Sequence, residues 1–187
     1  MSLKADVQLD AKGLACPMPI VKTKKVMAGL EDGQILEVSA TDKGSKADLA
    51  AWSKTVGHQY IGTIEDGDVL KHYIRKCSNE TMEENQHQEI IALDELIAKV
   101  ADGGTILDVR ETAEFAFGHI DGAKSIPMGE LEERMDELDK DQPVYVICRT
   151  GKRSDLAAQT LVQNGFAKVW NVIPGMTEWS GSVKKTI

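Results

Sequence analysis

The 187-residue sequence has few cysteines, few aromatic residues and no long apolar run. Its three cysteines, Cys16, Cys77 and Cys148, lie far apart and form no Cys-x-x-Cys or His/Cys cluster, which argues against a disulfide framework and a zinc site. No stretch reaches the ~20 apolar residues of a bilayer-spanning helix, and the first ten residues lack an apolar core of signal-peptide length. We therefore predict a cytoplasmic protein that binds no membrane, metal or other cofactor.

An excess of positive charge is also absent. The 22 Lys and Arg residues stand against 30 Asp and Glu residues, which gives a net charge of −8. Nucleic acid is not expected as a partner, because phosphate binding needs a basic surface. Residues 1–80 hold 11 basic and 11 acidic residues, whereas residues 81–187 hold 11 and 19. Basic residues that cluster within the acidic second half therefore stand out.

A polar segment divides the sequence into two parts. Residues 78–88 have almost no apolar periodicity, which is typical of a linker. We predict a first domain over residues 1–77, a linker over residues 78–88 and a second domain over residues 89–187.

The first part alternates strand and helix patterns in the order βαβαββ. An Asp66-Gly67 pair favours a hairpin between the last two strands, and Ser45 with Asp48 resembles a capping box at the start of the second helix. This order predicts an α/β two-layer sandwich with both helices on one face of the sheet. The predicted strands cover residues 7–9, 35–39, 59–64 and 69–75, and the helices cover residues 17–30 and a segment from residue 45.

The second part has the βα alternation of an open α/β domain with a mainly parallel sheet. Residues 105–109 and 144–147 are near-continuous apolar runs, as expected for strands buried on both faces. In such sheets the functional site lies at the carboxyl ends of the strands. Shorter strands are predicted over residues 123–126 and 168–172, and helices over residues 93–100, 111–117, 130–138 and 154–164.

The strongest motif is the loop Cys-Arg-Thr-Gly-Lys-Arg, which begins at Cys148 between a buried strand and a helix. The N–H groups of such a loop can turn inward, and the helix N-terminus adds about half a positive charge. With three cationic side chains, this environment favours a Cys148 thiolate and an anion bound above the loop. Gly151 permits the backbone angles of such a cradle. The candidate substrate-binding residues are Arg149, Thr150, Gly151, Lys152 and Arg153.

Residues 89–187 resemble a single-domain rhodanese. The resemblance implies that Cys148 takes the outer sulfur of a donor such as thiosulfate or glutathione persulfide, carries it as a persulfide and passes it to a thiol acceptor. The basic loop residues would attract the anionic donor. Met176 is a departure, because rhodaneses often have a second glycine there. The matching pieces, in the order of the family, are Asp108-Val109-Arg110, Glu114-Phe115, residues 118–123, Ile126-Pro127 and residues 174–179.

Several of these residues have a structural interpretation. Arg153 could brace the backbone against a buried carboxylate instead of binding substrate. We expect Asp108, Arg110, Glu114 and His119 to form turns and ion pairs under the site, and Trp179 to lie in the core. Phosphatase or arsenate reductase activity is a minor alternative, because the loop of those cysteine enzymes is one residue longer between its cysteine and arginine.

A second cysteine motif precedes the first predicted helix. Pro17 suits position N1 of that helix, which places Cys16 at the N-cap, where the helix dipole favours a thiolate. Alone, this pattern fits a buried N-cap cysteine equally well. Residues 5–76, however, resemble the TusA/SirA-like sulfur-carrier family. The matching pieces are the Leu-Asp-x-x-Gly-Leu-x-Cys-Pro-x-Pro entry, Thr41-Asp42, the helix containing Trp52 and Gly57-His58.

The second resemblance implies that Cys16 holds a persulfide that is passed between proteins. Two such domains in one chain lead to the hypothesis of a relay, in which sulfur moves between Cys148 and Cys16 in a direction that the sequence leaves open. Other sulfur-relay proteins are the expected partners. A redox or reactive-sulfur sensor is the main alternative, and a pure interaction module is another. Cys77 is interpreted as an incidental thiol.

Overall fold

The computed structural model describes residues 3–77 and 87–187. The chain divides into two compact units, one containing residues 3–77 and the other residues 87–186. Most of the predicted linker, residues 78–86, lies outside the described residues, so the domain boundaries stay a prediction. His87, near the end of that linker, is held by the second unit: its backbone N–H donates to Asp155, and its ring Nε2 lies 2.8 Å from the carbonyl oxygen of Val169.

The first unit has the predicted βαβαββ order. Its strands pair in the order β1-β2-β4-β3, with β1 and β2 parallel and the other pairs antiparallel. Met27 and Leu49, one from each helix, share a core with side chains of the strands. Because β1 and β2 are parallel neighbours, the loops that follow them meet at one edge of the sheet. The elements are β1 (Val7–Ala11), α1 (Met18–Ala28), β2 (Ile35–Ala40), α2 (Ser45–Val56), β3 (Gln59–Asp66) and β4 (Val69–Arg75).

The second unit has the predicted open parallel sheet. Its strand order is β5-β9-β8-β6-β7, and every pair is parallel. Separate apolar clusters form in this unit, and all four residues of β8 are buried. The elements are β5 (Ile90–Ala92), α3 (Leu93–Ala101), β6 (Thr105–Asp108), α4 (Thr112–Phe117), β7 (Lys124–Ser125), α5 (Leu131–Arg134), β8 (Val144–Ile147), α6 (Lys152–Gln163) and β9 (Val169–Ile173).

Some local predictions are wrong. Helix α1 begins at Met18 with Pro17 at its N-cap, so Cys16 lies one residue before the cap. Ser45 forms no capping box, because its hydroxyl donates to the carbonyl of Asp42 instead. The helix predicted over residues 130–138 is the short α5 between two 3₁₀ turns, and β5 was not predicted. Among residues 3–77 and 87–187, every helix is too short or too polar to span a bilayer.

Candidate functional site

The Cys148 sulfur lies at the carboxyl end of the central strand β8, among hydrogen-bond donors. The backbone N–H of Gly151 donates to Sγ over 3.1 Å, and the hydroxyl of Ser154 donates over 3.3 Å. Cys148 is 1% exposed, so these contacts form in a site that largely excludes water. Donors directed at a sulfur favour its anionic form.

The start of helix α6 completes this cradle. Gly151 is its N-cap and has φ 99°, a left-handed conformation that favours glycine, as predicted. A Cβ at this position would lie 3.0 Å from the side chain of Ile173. The helix is 12 residues long, and its N-terminal end therefore adds a partial positive charge beside the sulfur.

Arg153 makes a bidentate ion pair with Glu114. Its two terminal nitrogens lie 2.8 and 3.0 Å from the carboxylate oxygens, and the Glu114 side chain is 1% exposed. Burial opposes the charge of this arginine, but Glu114 and the nearby Cys148 raise the pKa of Arg153 above its ordinary value. The guanidinium thus braces the loop against a buried carboxylate, which matches the structural interpretation of Arg153.

Side chains under the loop form the expected turns and ion pairs. Arg110 binds Asp108 through two nitrogens and also donates to the carbonyl of Gly118. Glu111 and Glu114 form a capping box at the start of α4. His119 stacks on Phe115 and contacts its carbonyl. These contacts fix the helix that carries the partner of Arg153.

The segment after β9 supports the loop from the other side. The N–H groups of Met176 and Thr177 donate to the carbonyls of Cys148 and Arg149. Gly175 has φ 93°, and a Cβ there would lie 2.7 Å from both carbonyl oxygens. The close approach therefore requires glycine at position 175. Met176, where rhodaneses often have glycine, has no left-handed conformation and begins a 3₁₀ turn.

The remaining loop residues face outward to different degrees. Thr150 is exposed, and Arg149 and Lys152 are partly exposed. The two cationic residues are thus neighbours of the cradle in the chain and remain partly accessible to an anion. Their substrate-binding role, like that of the whole loop, stays a prediction.

Cys16 occupies a different environment, in the loop that joins β1 to α1. Its side chain is exposed. Two hydrogen bonds attach this loop to the loop after β2: the N–H of Gly13 donates to Thr41 Oγ1 over 2.9 Å, and the N–H of Cys16 donates to Asp42 Oδ2 over 3.2 Å. The Thr41-Asp42 pair thus positions the Cys16 loop.

Acidic groups surround the Cys16 thiol. A hydrogen bond with Asp48, then partial desolvation and the charges of Asp48 and Asp42, raise the pKa of Cys16 above its ordinary value. The prediction that Cys16 is the N-cap is wrong, and its acidic neighbours oppose the thiolate that a helix dipole would favour. The N-cap is Pro17 rather than Cys16, and the carboxylates of Asp48 and Asp42 both act on the Cys16 thiol.

A buried network lies behind the Asp42 loop. His72 is 0% exposed, and its Nε2 lies 2.9 Å from the hydroxyl of Ser45, which donates to the carbonyl of Asp42. Because the Ser45 hydroxyl donates its proton to Asp42, it must accept in its bond to His72. Nε2 of His72 therefore carries a hydrogen and donates it to Ser45. Nδ1 then accepts from Tyr60 or Thr63. Burial, with a smaller effect of Lys46, lowers the pKa of His72 to about 4.

Cys77 lies two residues after the end of β4. Its sulfur lies 3.4 Å from a guanidinium nitrogen of Arg75, and its backbone contacts the ring of His58. The sulfur also lies 3.8 Å from the carbonyl oxygen of Arg75, and the interpretation of Cys77 as an incidental thiol stays a prediction.

Two residues at the sites were missed by the sequence analysis. The sequence pattern identifies Ser154 only as the start of a helix, although a hydroxyl in the first turn of a helix after a reactive loop can reach that loop. The sequence pattern places Asp48 in a cap, and its proximity to Cys16 depends on how α2 packs, which no local pattern reveals.

Comparisons with known proteins match both units. The family model for a rhodanese-like domain matches residues 92–182, and the model for sulfurtransferase TusA matches residues 7–76. "Putative sulfur carrier protein YrkF" of Bacillus subtilis is 48% identical over 184 residues, which is 97% of this chain and 100% of that protein. "Putative sulfur carrier protein YrkI" of the same organism is 64% identical over 74 residues, 40% of this chain and 99% of that protein. A "Sulfurtransferase" of Allochromatium vinosum is 38% identical over 87 residues, 46% of this chain and 81% of that protein.

Proposed function

Because the chain belongs to the family of two-domain proteins that join a TusA sulfur-carrier domain to a rhodanese-like sulfurtransferase domain, we propose that Cys148 takes sulfane sulfur from a small donor and passes it to Cys16. The observation that carries this proposal is the pair of donors, Gly151 N–H and Ser154 Oγ, on the Cys148 sulfur. The cytoplasmic location stays a prediction from the sequence.

In the first step the Cys148 thiolate attacks the outer sulfur of the donor. With thiosulfate, the sulfur–sulfur bond of the donor breaks, its electron pair leaves with sulfite, and Cys148 holds a persulfide. With glutathione persulfide the leaving group is the glutathione thiolate. The new sulfur lies about 2 Å beyond Sγ, so an acceptor can reach it although Cys148 itself is buried.

The loop residues have separate roles in this step. Arg149 and Lys152 attract the anionic donor, and Thr150 lies at the exposed rim. Gly151 provides the inward N–H. Arg153 acts through its ion pair with Glu114, which keeps the loop in place and adds positive charge near the sulfur.

In the second step the Cys16 thiolate attacks the outer sulfur of the Cys148 persulfide. The bond between the two sulfurs breaks, and its electron pair returns to Cys148, so the exchange needs no oxidant or reductant. Attack requires a thiolate, and Cys16 must therefore first give up the proton that its acidic neighbours favour. A tether between two such sites can provide an effective concentration in the millimolar range. Other relay proteins would then take sulfur from Cys16.

Steady-state kinetics of the full chain test this function. We expect sulfur transfer from thiosulfate or glutathione persulfide to be lost in Cys148→Ser and retained, to a small-molecule acceptor, in Cys16→Ser. Cys77→Ser is the matched control and should behave like the unsubstituted protein. Full activity of Cys148→Ser would refute the proposal. Slow turnover with a stable Cys16–Cys148 disulfide would instead favour the sensor.

A further inference from the structure

Asn171 is a polar residue in a strand that should be apolar. It lies in β9, between Val169 and Val172, and is 0% exposed. Strands of parallel sheets that are buried on both faces are normally near-continuous apolar runs. Its Oδ1 is buried without a hydrogen-bond partner among the described residues. A buried polar atom without a partner is destabilising, so packing alone does not favour asparagine at this position.

The amide nitrogen of Asn171 contacts the Cys148 loop. Nδ2 donates to the carbonyl oxygen of Gly151 over 3.1 Å. The N–H of the same glycine donates to the Cys148 sulfur over 3.1 Å. Gly151 is therefore bonded at both of its backbone polar groups: its carbonyl accepts from Asn171, and its N–H donates to Cys148.

Gly151 is the residue of the loop that most needs such a contact. It has φ 99°, and glycine has wide conformational freedom, so its own backbone does little to fix the direction of its N–H. The carbonyl of Gly151 also accepts the N–H of Asp155 in the first turn of α6. The amide of Asn171 is the side-chain contact that links this carbonyl to the sheet.

We infer that Asn171 is a positioning residue for sulfur transfer: its amide holds the Gly151 carbonyl so that the Gly151 N–H stays directed at the Cys148 sulfur. The inference rests on the proposed function, because the N–H matters where an anionic sulfur or persulfide must be stabilised. Asn171 acts through Gly151 and does not touch the reacting atoms.

The substitution Asn171→Leu tests this role in the full chain, in a Cys16→Ser, Cys77→Ser background that leaves Cys148 as the reporter thiol. Leucine has a similar volume, removes the donor and restores the apolar pattern of β9. We expect the melting temperature to be unchanged or higher. The rate of Cys148 loading by glutathione persulfide should fall about three- to tenfold, which corresponds to the free energy of one lost hydrogen bond. The pH midpoint of Cys148 alkylation should rise.

Val172→Ala is the matched control, since Val172 is the adjacent residue of β9 and is also 0% exposed. It should lower the melting temperature and leave the alkylation midpoint unchanged. If Asn171→Leu does not fold, Asn171→Ser, which is too short to reach Gly151, is measured in the same way. A loading rate and a midpoint that match those of the background protein would overturn the inference. Failure of the background protein itself to load would refute the proposed function, and the midpoint would still decide the role of Asn171.

Discussion

At the scale of single residues, the two cysteines differ in the groups that face their sulfurs. Cys148 receives hydrogen bonds from Gly151 and Ser154, whereas Cys16 lies beside the carboxylates of Asp42 and Asp48. Donors stabilise a thiolate and carboxylates destabilise it. The donors around Cys148 therefore suit it to attack a donor molecule, whereas the acidic neighbours of Cys16 favour its thiol form.

The Cys16 environment leads to a test with Asp48→Asn. Asp48 is the largest contributor to the raised pKa of Cys16, so its removal should lower that pKa and increase the thiolate fraction at neutral pH. Alkylation of Cys16, measured in a Cys77→Ser, Cys148→Ser background, should become several-fold faster.

Asp66→Asn is the control for this substitution, because Asp66 pairs with Lys71 in the β3–β4 hairpin. It should leave the alkylation rate unchanged. If Asp48→Asn also leaves the rate unchanged, or lowers it, the acidic neighbours do not control Cys16.

At the scale of elements, each cysteine loop depends on the loop beside it. The Cys148 loop is supported by residues after β9, and the Cys16 loop by residues after β2. In both units parallel strands bring these loops to one edge of a sheet. The sheets therefore place the reactive residues, and the neighbouring loops set their backbone orientation.

The element order could be predicted because the apolar runs of β6 and β8 and the hairpin glycine at position 67 are local signals. The Cys148 loop could be predicted for the same reason, since strand, cysteine, glycine and helix follow one another in the sequence. The acidic surroundings of Cys16 could not, because Asp48 reaches it only through the packing of α2. Ser45 was misassigned because its hydroxyl bonds a carbonyl of its own turn instead of capping the helix.

The buried network of β4 predicts a pH dependence. His72 has a pKa of about 4 in the folded protein, against an ordinary value of 6.5. Between these values the unfolded chain binds a proton that the folded chain does not. The free energy of unfolding should therefore fall as the pH falls through this window, by about 3 kcal/mol in total, and be independent of His72 above it.

Nuclear magnetic resonance of the four histidines tests this dependence directly. The imidazole signal of His72, identified by its absence in His72→Gln, should not shift until the pH approaches 4. Titration near 6.5 would show that the network does not exclude the proton.

At the scale of the whole molecule, the chain joins two units. In each unit a loop with a reactive cysteine follows a strand that belongs to a parallel pair. One unit belongs to a sulfur-carrier family and the other to a rhodanese-like family, and the relative YrkF spans both. The net charge of −8 arises in the second half, where the cationic side chains around Cys148 are therefore distinctive. These features fit a chain that captures sulfur at one site and carries it at another.

Time-resolved mass spectrometry of the full chain, after addition of a donor with isotopically labelled sulfane sulfur, tests this order of events most directly. Mixing Cys16→Ser with Cys148→Ser chains separates transfer between chains from transfer within one. The account predicts that the labelled sulfur appears first on Cys148 and then on Cys16, and that Cys148→Ser alone leaves Cys16 unlabelled. Labelling of Cys16 at an undiminished rate in Cys148→Ser would contradict it.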